Sequence, residues 1–225
     1  AGIICIEMFH KDYCHMLCGL DIPTLFVDSP VTDLDKPIKS DCLYMDNQTN
    51  IGCFVREMIR RGKKRIGFIG DILHCQSFYE RFLGYQNAMY LSGLSCPEEY
   101  CITKNKAGAK IPGYDPYREY IMNEIQKLKE LPDVFICAND FAAIDTMYVF
   151  KQLGIRVPQD IYLCGFDDSP ESHVTSPTLT TIHIHSQIMG FSAVHLLMSR
   201  IKEPSLNFRK IYTETSLIYR ESTGD

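Results

Sequence analysis

The 225-residue chain lacks two features that would place it in a broad functional class. It has no apolar run of about 18 residues, so the sequence predicts no membrane span. It also has no surplus of basic residues, because the formal net charge is −5. Nucleic-acid binding normally depends on a basic face that displaces counterions from phosphates. We therefore expect that this stretch of chain does not bind DNA by itself.

Targeting signals and a disulfide framework are missing as well. The segment Ala1–Glu7 has no basic region followed by a cleavage site, so we predict no signal peptide. Among the ten cysteines, Cys5, Cys137 and Cys164 lie inside apolar, strand-like runs, where a thiol packs as a small hydrophobic group. A chain of this length has no need of disulfide cross-links. We expect reduced cysteines and a cytoplasmic protein.

Motifs for catalysis and metal binding are absent from the sequence. There is no GxSxG elbow, P-loop, GxGxxG or HExxH. His10, Cys14 and Cys18 are spaced four residues apart, but no CxxC pair and no second cluster accompanies them. Packing of an amphipathic helix accounts for that spacing. We predict no catalytic residues, no metal site and no cofactor.

Short β-branched and aromatic runs alternate with longer amphipathic stretches, which is typical of α/β proteins with parallel sheets flanked by helices. The predicted strands are 2–6, 24–28, 65–70, 100–103, 133–138, 161–166 and 179–184, and 210–220 is predicted to be extended. The predicted helices are 12–18, 48–61, 78–92, 116–130, 141–153 and 187–202. Four helices are followed by a glycine, at which we expect a left-handed C-terminal cap: Gly19, Gly62, Gly93 and Gly154.

Polar residues recur at the carboxyl ends of the predicted strands, namely at Asp28, Asp71, Asn139-Asp140 and Asp167-Asp168. In parallel α/β sheets this edge is where ligands bind. Carboxylates and amides can each make two hydrogen bonds at once and so suit a ligand rich in hydroxyl groups. Asp and Asn are also ordinary N-cap residues, and Asn139-Asp140 precede a predicted helix, so no single position decides between the two roles.

One long segment resembles a known family. Residues 156–185, RVPQDIYLCGFDDSPESHVTSPTLTTIHIH, are similar to the V-P-x-D-(strand)-G-[YF]-D-[DN]…P-x-L-T-T-[IV] signature of the LacI/GalR regulators. Asp46-Asn47 resembles the D-N pair that the family places ahead of a helix. Further matches are IPTLFVD (22–28), RRGKKRIGFIGD (60–71), ERFLGY (80–85) and CANDFAA (137–143). The resemblance extends over nearly the whole chain and is to the family's effector domain.

The resemblance implies a two-lobed periplasmic-binding-protein-like I fold with chain crossings near Tyr44, His183 and Glu214. The N-terminal lobe would comprise 1–44 plus 184–214, and the C-terminal lobe 45–183 plus 215–225. The family carries a helix-turn-helix headpiece, a hinge and two β-α units ahead of the strand matched by 2–6, and these have no counterpart here. We therefore expect an incomplete N-terminal lobe that exposes apolar sheet edges.

Matching the family's motifs position by position implies six effector-binding residues. Arg81 matches an arginine that reaches the effector, although an arginine here could instead be a surface ion-pair partner. Tyr114 stands where relatives carry an aromatic ring that stacks on the ligand. The full set is Asp28, Ser77, Arg81, Tyr114, Asn139 and Asp167.

The resemblance favours the effector-sensing domain of a transcriptional regulator, in most relatives a repressor, that binds a sugar or related metabolite between its lobes. Its expected partners are a small molecule, with a carbohydrate favoured over a purine, and a second copy of the chain. Operator DNA would be contacted only through a headpiece. The alternative is an extracytoplasmic sugar-binding protein of a transporter, which shares the fold. The residues upstream of Ala1 would distinguish the two.

Overall fold

The computed structural model describes residues 1–104 and 115–225. Its strands are β1 (Ile3–Ile6), β2 (Thr24–Val27), β3 (Asp41–Met45), β4 (Ile66–Ile69), β5 (Cys101–Ile102), β6 (Val134–Cys137), β7 (Tyr162–Cys164), β8 (Thr181–Ile184), β9 (Lys210–Thr213) and β10 (Thr215–Ile218). Its α-helices are α1 (Lys11–Cys18), α2 (Thr49–Arg60), α3 (Gln76–Leu91), α4 (Pro116–Gln126), α5 (Asp140–Leu153) and α6 (Ser186–Lys202). Strands and helices alternate through most of the chain, as expected from the sequence.

The strands form two parallel sheets and one antiparallel ribbon. The first sheet has the order β1-β2-β3-β9 and the second has the order β5-β4-β6-β7. The ribbon pairs β8 with β10, so that His183 lies opposite Ser216. Because parallel neighbours require a crossover connection, helices cover the sheets. The predicted α/β class with parallel sheets flanked by helices is confirmed.

Burial on both faces explains the composition of the central strands. Every residue of β4 and of β6 is buried, and both strands are continuous apolar runs rather than alternating ones. The largest hydrophobic cluster joins residues of both sheets to helices α2, α3 and α6. A second cluster packs α4 and α5 against the second sheet. The core thus extends from one sheet to the other.

Every predicted strand contains an observed strand, with ends that differ by one or two residues. Strand β3 was not predicted, because the sequence analysis assigned no strand to residues 41–45. It begins with the charged Asp41, which is buried against two arginines that lie far away in the sequence. The extended segment 210–220 contains two strands, and the break between them falls at Glu214.

Three of the four predicted glycine caps have the left-handed conformation, with positive φ at Gly62, Gly93 and Gly154. The prediction is wrong for Gly19, whose φ is −85°. Its N–H donates to the carbonyls of His15 and Met16, which ends α1 in a tight right-handed turn. The left-handed position falls two residues later, at Asp21 with a φ of 52°.

Strand β1 lies at the edge of the first sheet and presents apolar side chains to solvent. The exposed fraction of Ile6 is 68%, and Phe191 on the neighbouring helix α6 is also exposed. No helix in the described ranges is both long and apolar enough to cross a membrane.

Candidate functional site

A cavity of about 740 Å³ lies between the carboxyl ends of strands from the two sheets. Residues that follow β1 and β2 line it from the first sheet, and residues that follow β6 and β7 line it from the second. The first two turns of α3 and the first half of α6 close its sides. We refer to this cavity as the cleft. Its position matches the general rule that ligands bind beyond the carboxyl ends of parallel strands.

Asp28 and Ser77 lie together where the first sheet meets helix α3. Asp28 has a φ of 60°, which turns the chain sharply after β2. Its Oδ1 accepts hydrogen bonds from the backbone N–H of Ser29 at 2.7 Å and of Ser77 at 3.3 Å. The Ser77 hydroxyl donates to the Met45 sulfur at 3.2 Å. One carboxylate therefore joins the end of β2 to the first turn of α3.

Arg81 lies at the floor of the cleft and is only 2% exposed. Its Nε donates to Asn47 Oδ1 at 3.0 Å and its Nη1 donates to the Ala138 carbonyl at 2.6 Å. The guanidinium also lies 3.5 Å from the centre of the Phe166 ring, where the π face favours a cation. Because Arg81 is buried, it is not the surface ion-pair partner considered as an alternative.

Asp167 faces Arg81 from the end of the second sheet, with 3.3 Å between Oδ1 and Arg81 Nη1. Its φ of 114° is a conformation that side-chain-bearing residues rarely adopt. Burial in the cleft raises the pKa of Asp167 to about 7, although Arg81 acts in the opposite direction. At neutral pH this carboxyl group can therefore serve both as a donor and as an acceptor.

Asn139 caps a helix and also lies in the lining of the cleft. It is the N-cap of α5, and its Oδ1 accepts the N–H of Ala142 at 2.9 Å. The residue also lines the cleft. Five of the six predicted site residues therefore line one cavity. The sixth, Tyr114, lies outside the described residues.

Aromatic and aliphatic side chains form the other wall of the cleft. Phe9 follows β1, and its ring centre lies 5.0 Å from that of His74, which in turn lies 5.2 Å from Phe78. Phe141 and Met189 add further apolar surface. A polar floor under an apolar wall suits a ring that carries hydroxyl groups on its edges and hydrogens on its faces.

Glu7 and His183 are among the polar groups of the cleft that the sequence analysis missed. Glu7 follows β1 with a φ of 54° and lines the cavity, and its position at a strand end was a usable signal. His183 lines it from β8, and its Nδ1 lies 2.9 Å from Asp168 Oδ2. Burial would raise the pKa of Asp168, but Arg220 and the two histidines His183 and His173 outweigh it and lower that pKa.

Two other polar residues at strand ends have structural roles. Asp71 does not line the cleft, and its Oδ1 accepts the N–H of Leu73 in the turn after β4. Asp140 is fully buried behind the cleft, where it accepts from the Thr181 hydroxyl at 2.6 Å and the Ser169 N–H at 2.7 Å. Burial raises the pKa of Asp140. Position at a strand end alone does not make a side chain available to a ligand.

The cysteine and histidine spacing in α1 has a packing explanation. Cys14 is fully buried under the first sheet, and His10 is the N-cap, with Nδ1 accepting the N–H of Tyr13. Within the two described segments, no three His, Cys, Asp or Glu side chains are grouped in a way that could hold a metal ion. All ten cysteines are free thiols.

Comparison with known proteins identifies the family. The sequence profile described as "Periplasmic binding protein-like domain" matches residues 55–223, three quarters of the chain. A curated relative, the HTH-type transcriptional repressor PurR of Haemophilus influenzae strain PittEE, is 29% identical over 210 residues, which are 91% of this chain and 60% of the relative. The chain therefore spans less than two thirds of that relative's length.

Solved structures share the fold. A transcriptional regulator CelR-cellobiose complex superimposes with a TM-score of 0.82 at 22% identity, covering 98% of this chain and 65% of the other. A LacI regulator from Bacillus cereus subsp. cytotoxis gives a TM-score of 0.80 at 21% identity, covering 98% and 75%. The profile shows that the chain belongs to the periplasmic binding protein-like family, and within it the chain resembles the LacI-type regulators.

Proposed function

We propose that the cleft binds a small, hydroxyl-rich effector and that the chain is the sensing part of a LacI-type transcriptional regulator. The observation that carries this proposal is the convergence of Asp28, Ser77, Arg81, Asn139 and Asp167 on one cavity. Asp28 follows a strand of the first sheet, and Asn139 and Asp167 follow strands of the second, while Ser77 and Arg81 belong to α3. A ligand that contacts all of them therefore bridges the two sheets. Such a ligand favours one arrangement of the sheets by its difference in affinity between arrangements.

The chemistry of the cleft favours a carbohydrate over a purine. Its floor presents carboxylates, an amide and an arginine, which together accept from and donate to vicinal hydroxyl groups. Its wall presents Phe9 and Phe78, whose faces pack against the C–H face of a sugar ring. A purine base also has an apolar face, but it carries no pair of vicinal hydroxyl groups for the carboxylates of the floor to accept from.

We propose that each parallel sheet is the centre of one lobe. We assign 1–44 with 184–214 to the lobe of the first sheet, and 45–183 with 215–225 to the lobe of the second. In a homodimer, a change in the angle between lobes alters the distance between two attached DNA-binding headpieces. The full-length protein, as a repressor, would thereby bind its operator with an affinity that depends on the effector. Tyr114 belongs to the proposed site as a stacking ring.

The relatives favour this function over the alternative of a transporter-linked binding protein. The curated relative is a transcriptional repressor, and a solved structure of the same fold is a regulator with cellobiose bound. Neither is an enzyme, and we assign no catalytic role to the cleft.

A thermal-shift screen tests the proposal. The chain is heated with cellobiose, D-ribose, other mono- and disaccharides, hypoxanthine and guanine, because a ligand of the native state raises the unfolding midpoint by mass action. We expect a saccharide to raise the midpoint of the wild type and of the control Asp12→Asn, which alters an exposed residue of α1. Stabilisation by a purine alone would overturn the carbohydrate assignment. An unfolding midpoint that no compound of the panel raises would overturn the sensing function.

A further inference from the structure

Asn47 lies between two opposite charges behind the cleft. It follows β3, is 1% exposed, and belongs to the Asp46-Asn47 pair. Its Oδ1 accepts from Arg81 Nε at 3.0 Å, while its Nδ2 donates to Glu80 Oε2 at 2.9 Å. Glu80 and Arg81 are neighbours on α3, so one amide group separates a carboxylate from a guanidinium.

Close packing of two helices brings these groups together. Gly84 lies one turn beyond Glu80 on α3, and a Cβ atom there would be 2.9 Å from the Gln48 Cα at the start of α2. A glycine is therefore needed for α3 to approach the segment that carries Asn47. The contact is part of the fold and does not depend on a long, mobile side chain.

Glu80 is buried, with 6% of its surface exposed, and is held by three uncharged donors. Its Oε1 accepts from Gln76 Nε2 at 2.9 Å and from the Tyr212 hydroxyl at 3.0 Å, and its Oε2 accepts from Asn47. Burial and the neighbouring Glu80 carboxylate raise the pKa of Tyr212, so the phenol stays protonated as a donor.

The two charges leave the Asn47 amide only one orientation. A flipped amide would place its NH₂ group against the Arg81 guanidinium and its oxygen against the Glu80 carboxylate, which replaces two charge-assisted hydrogen bonds with two repulsive contacts. With the amide as observed, Arg81 Nε is occupied, and Nη1 reaches Ala138 and Asp167 at the cleft floor. Without it, the guanidinium is free to pair with Glu80 instead.

We propose that Asn47 and Glu80 are positioning residues for Arg81: the Glu80 carboxylate fixes the Asn47 amide, and that amide holds the guanidinium in the cleft. The proposal deepens the proposed function and rests on it for the role of Arg81 in effector binding. Tyr212 extends the arrangement to the first sheet, because it belongs to β9 and stacks on Tyr44 with 5.3 Å between ring centres. A shift of the first sheet against α3 would therefore reach Arg81 through Glu80.

An exchange of the two functional groups tests this arrangement. Asn47→Asp places two carboxylates face to face, and Glu80→Gln places two amides face to face. In the double variant, the new amide at 80 donates to the new carboxylate at 47, and its oxygen still accepts from Gln76 and Tyr212. The readouts are the unfolding midpoint and the hydrogen exchange of Arg81 Nε–H by NMR, with that signal assigned by its absence from Arg81→Lys.

We expect Glu80→Gln to exchange the Arg81 Nε–H about tenfold faster or more, as for the loss of one hydrogen bond to a charged group. We expect Asn47→Asp to lower the unfolding midpoint at pH 8, because its carboxylate faces that of Glu80. The double variant should restore the midpoint and exchange the Arg81 Nε–H no faster than the wild type does. The midpoint of Asn47→Asp should recover between pH 8 and pH 5, because one proton shared by the facing carboxylates restores a donor. Additive losses of midpoint in the double variant, an unchanged exchange rate in Glu80→Gln, or an unchanged midpoint in Asn47→Asp at pH 8 would overturn the proposal. These readouts need no ligand, so their outcome is separate from that of the saccharide screen.

Tyr212→Phe tests the same arrangement with little risk to folding, since Tyr212 is half-exposed and loses only its hydroxyl. We expect faster exchange of the Arg81 Nε–H and a severalfold weaker affinity for whichever saccharide the screen identifies. As a control, Tyr13→Phe removes the hydroxyl of a similarly exposed tyrosine on α1 and should change neither. Exchange in Tyr212→Phe that equals the wild-type rate would overturn the connection to β9.

Discussion

Arg81 and Asp167 lie 3.3 Å apart at the floor of the cleft, yet the pKa of Asp167 is about 7. Burial raises that pKa. Arg81 lowers it only in part, since its guanidinium also donates to the Ala138 carbonyl and the Asn47 amide. The ionised Asp167 carboxylate therefore receives fewer hydrogen bonds than its two oxygens can accept. Hydroxyl groups of a bound ligand would supply them.

This relationship predicts that Asp167→Asn stabilises the chain more at high pH than at low pH. The folded pKa lies above the unfolded value near 3.8, so the native state holds the extra proton and stability falls as pH rises from about 4 to 7. Asparagine removes that penalty. Since water reaches a third of this side chain, we expect its advantage to grow by only about 1–2 kcal/mol between pH 5 and pH 8.

Urea unfolding of both proteins at the two pH values measures this difference. Asp160→Asn is the control, because Arg156 lowers the pKa of the exposed Asp160 to about 2 and its titration lies below the range tested. The difference between Asp160→Asn and wild type should be the same at pH 5 and pH 8. A pH-independent difference for Asp167→Asn as well would contradict the high pKa.

A second prediction concerns the buried carboxylate that begins β3. Asp41 accepts from Arg200 Nη2 and Arg209 Nη2, both at 2.9 Å. Burial would raise its pKa, but hydrogen bonds from these two arginines outweigh it and bring the pKa to about 2. Asp41→Asn leaves the buried Arg200 without its counter-charge, so we expect a loss of about 3–5 kcal/mol in the free energy of unfolding.

The pH dependence distinguishes this effect from a general packing defect. The stabilisation from Asp41 is complete above its unfolded pKa near 3.8 and is lost as pH falls toward 2. The difference in the free energy of unfolding between wild type and Asp41→Asn, measured by chemical denaturation, should therefore disappear over that range. The gap for Asp33→Asn, at an exposed site, should be small throughout. A gap for Asp41→Asn that persists at pH 2 would argue against the ion pairs as its source.

A third prediction compares two glycines within helices. Gly84→Ala introduces a Cβ at 2.9 Å from a backbone atom of Gln48, so α3 must move away from α2, and we expect a loss of about 1–3 kcal/mol. Gly190→Ala on α6 meets nothing within 4 Å, so the higher helix propensity of alanine should stabilise by about 0.5–1 kcal/mol. In thermal unfolding, we expect a lower midpoint for Gly84→Ala and a higher midpoint for Gly190→Ala. Equal effects would show that the α2–α3 contact is not tight.

Much of the cleft could be predicted from the sequence because the carboxyl ends of parallel strands meet at one edge. Asp28, Asn139 and Asp167 were found in this way and line the cavity. The same rule also selected Asp71 and Asp140, which bond to nearby backbone and hydroxyl groups instead. The sequence pattern locates the edge of the sheet but does not show which side chains there are already satisfied.

Contacts between residues distant in the sequence account for what was missed. Strand β3 begins at Asp41, whose partners Arg200 and Arg209 lie 159 and 168 residues away. The bond between Glu80 and Tyr212 spans 132 residues. The local sequence around Asp41 or Glu80 gives no sign of such a distant partner. Secondary-structure propensity and hydrophobic periodicity could therefore not reveal either of these contacts.

The most direct test of the account is the calorimetric affinity of the screened saccharide for Asp28→Asn and Asp167→Asn. Each asparagine keeps one acceptor and removes a charge, at the end of the first sheet in one variant and of the second in the other. If the ligand bridges the two sheets, each variant should bind about tenfold more weakly or worse, and Asp12→Asn should bind as the wild type does. Undiminished affinity in either cleft variant would contradict a ligand held between the two sheets.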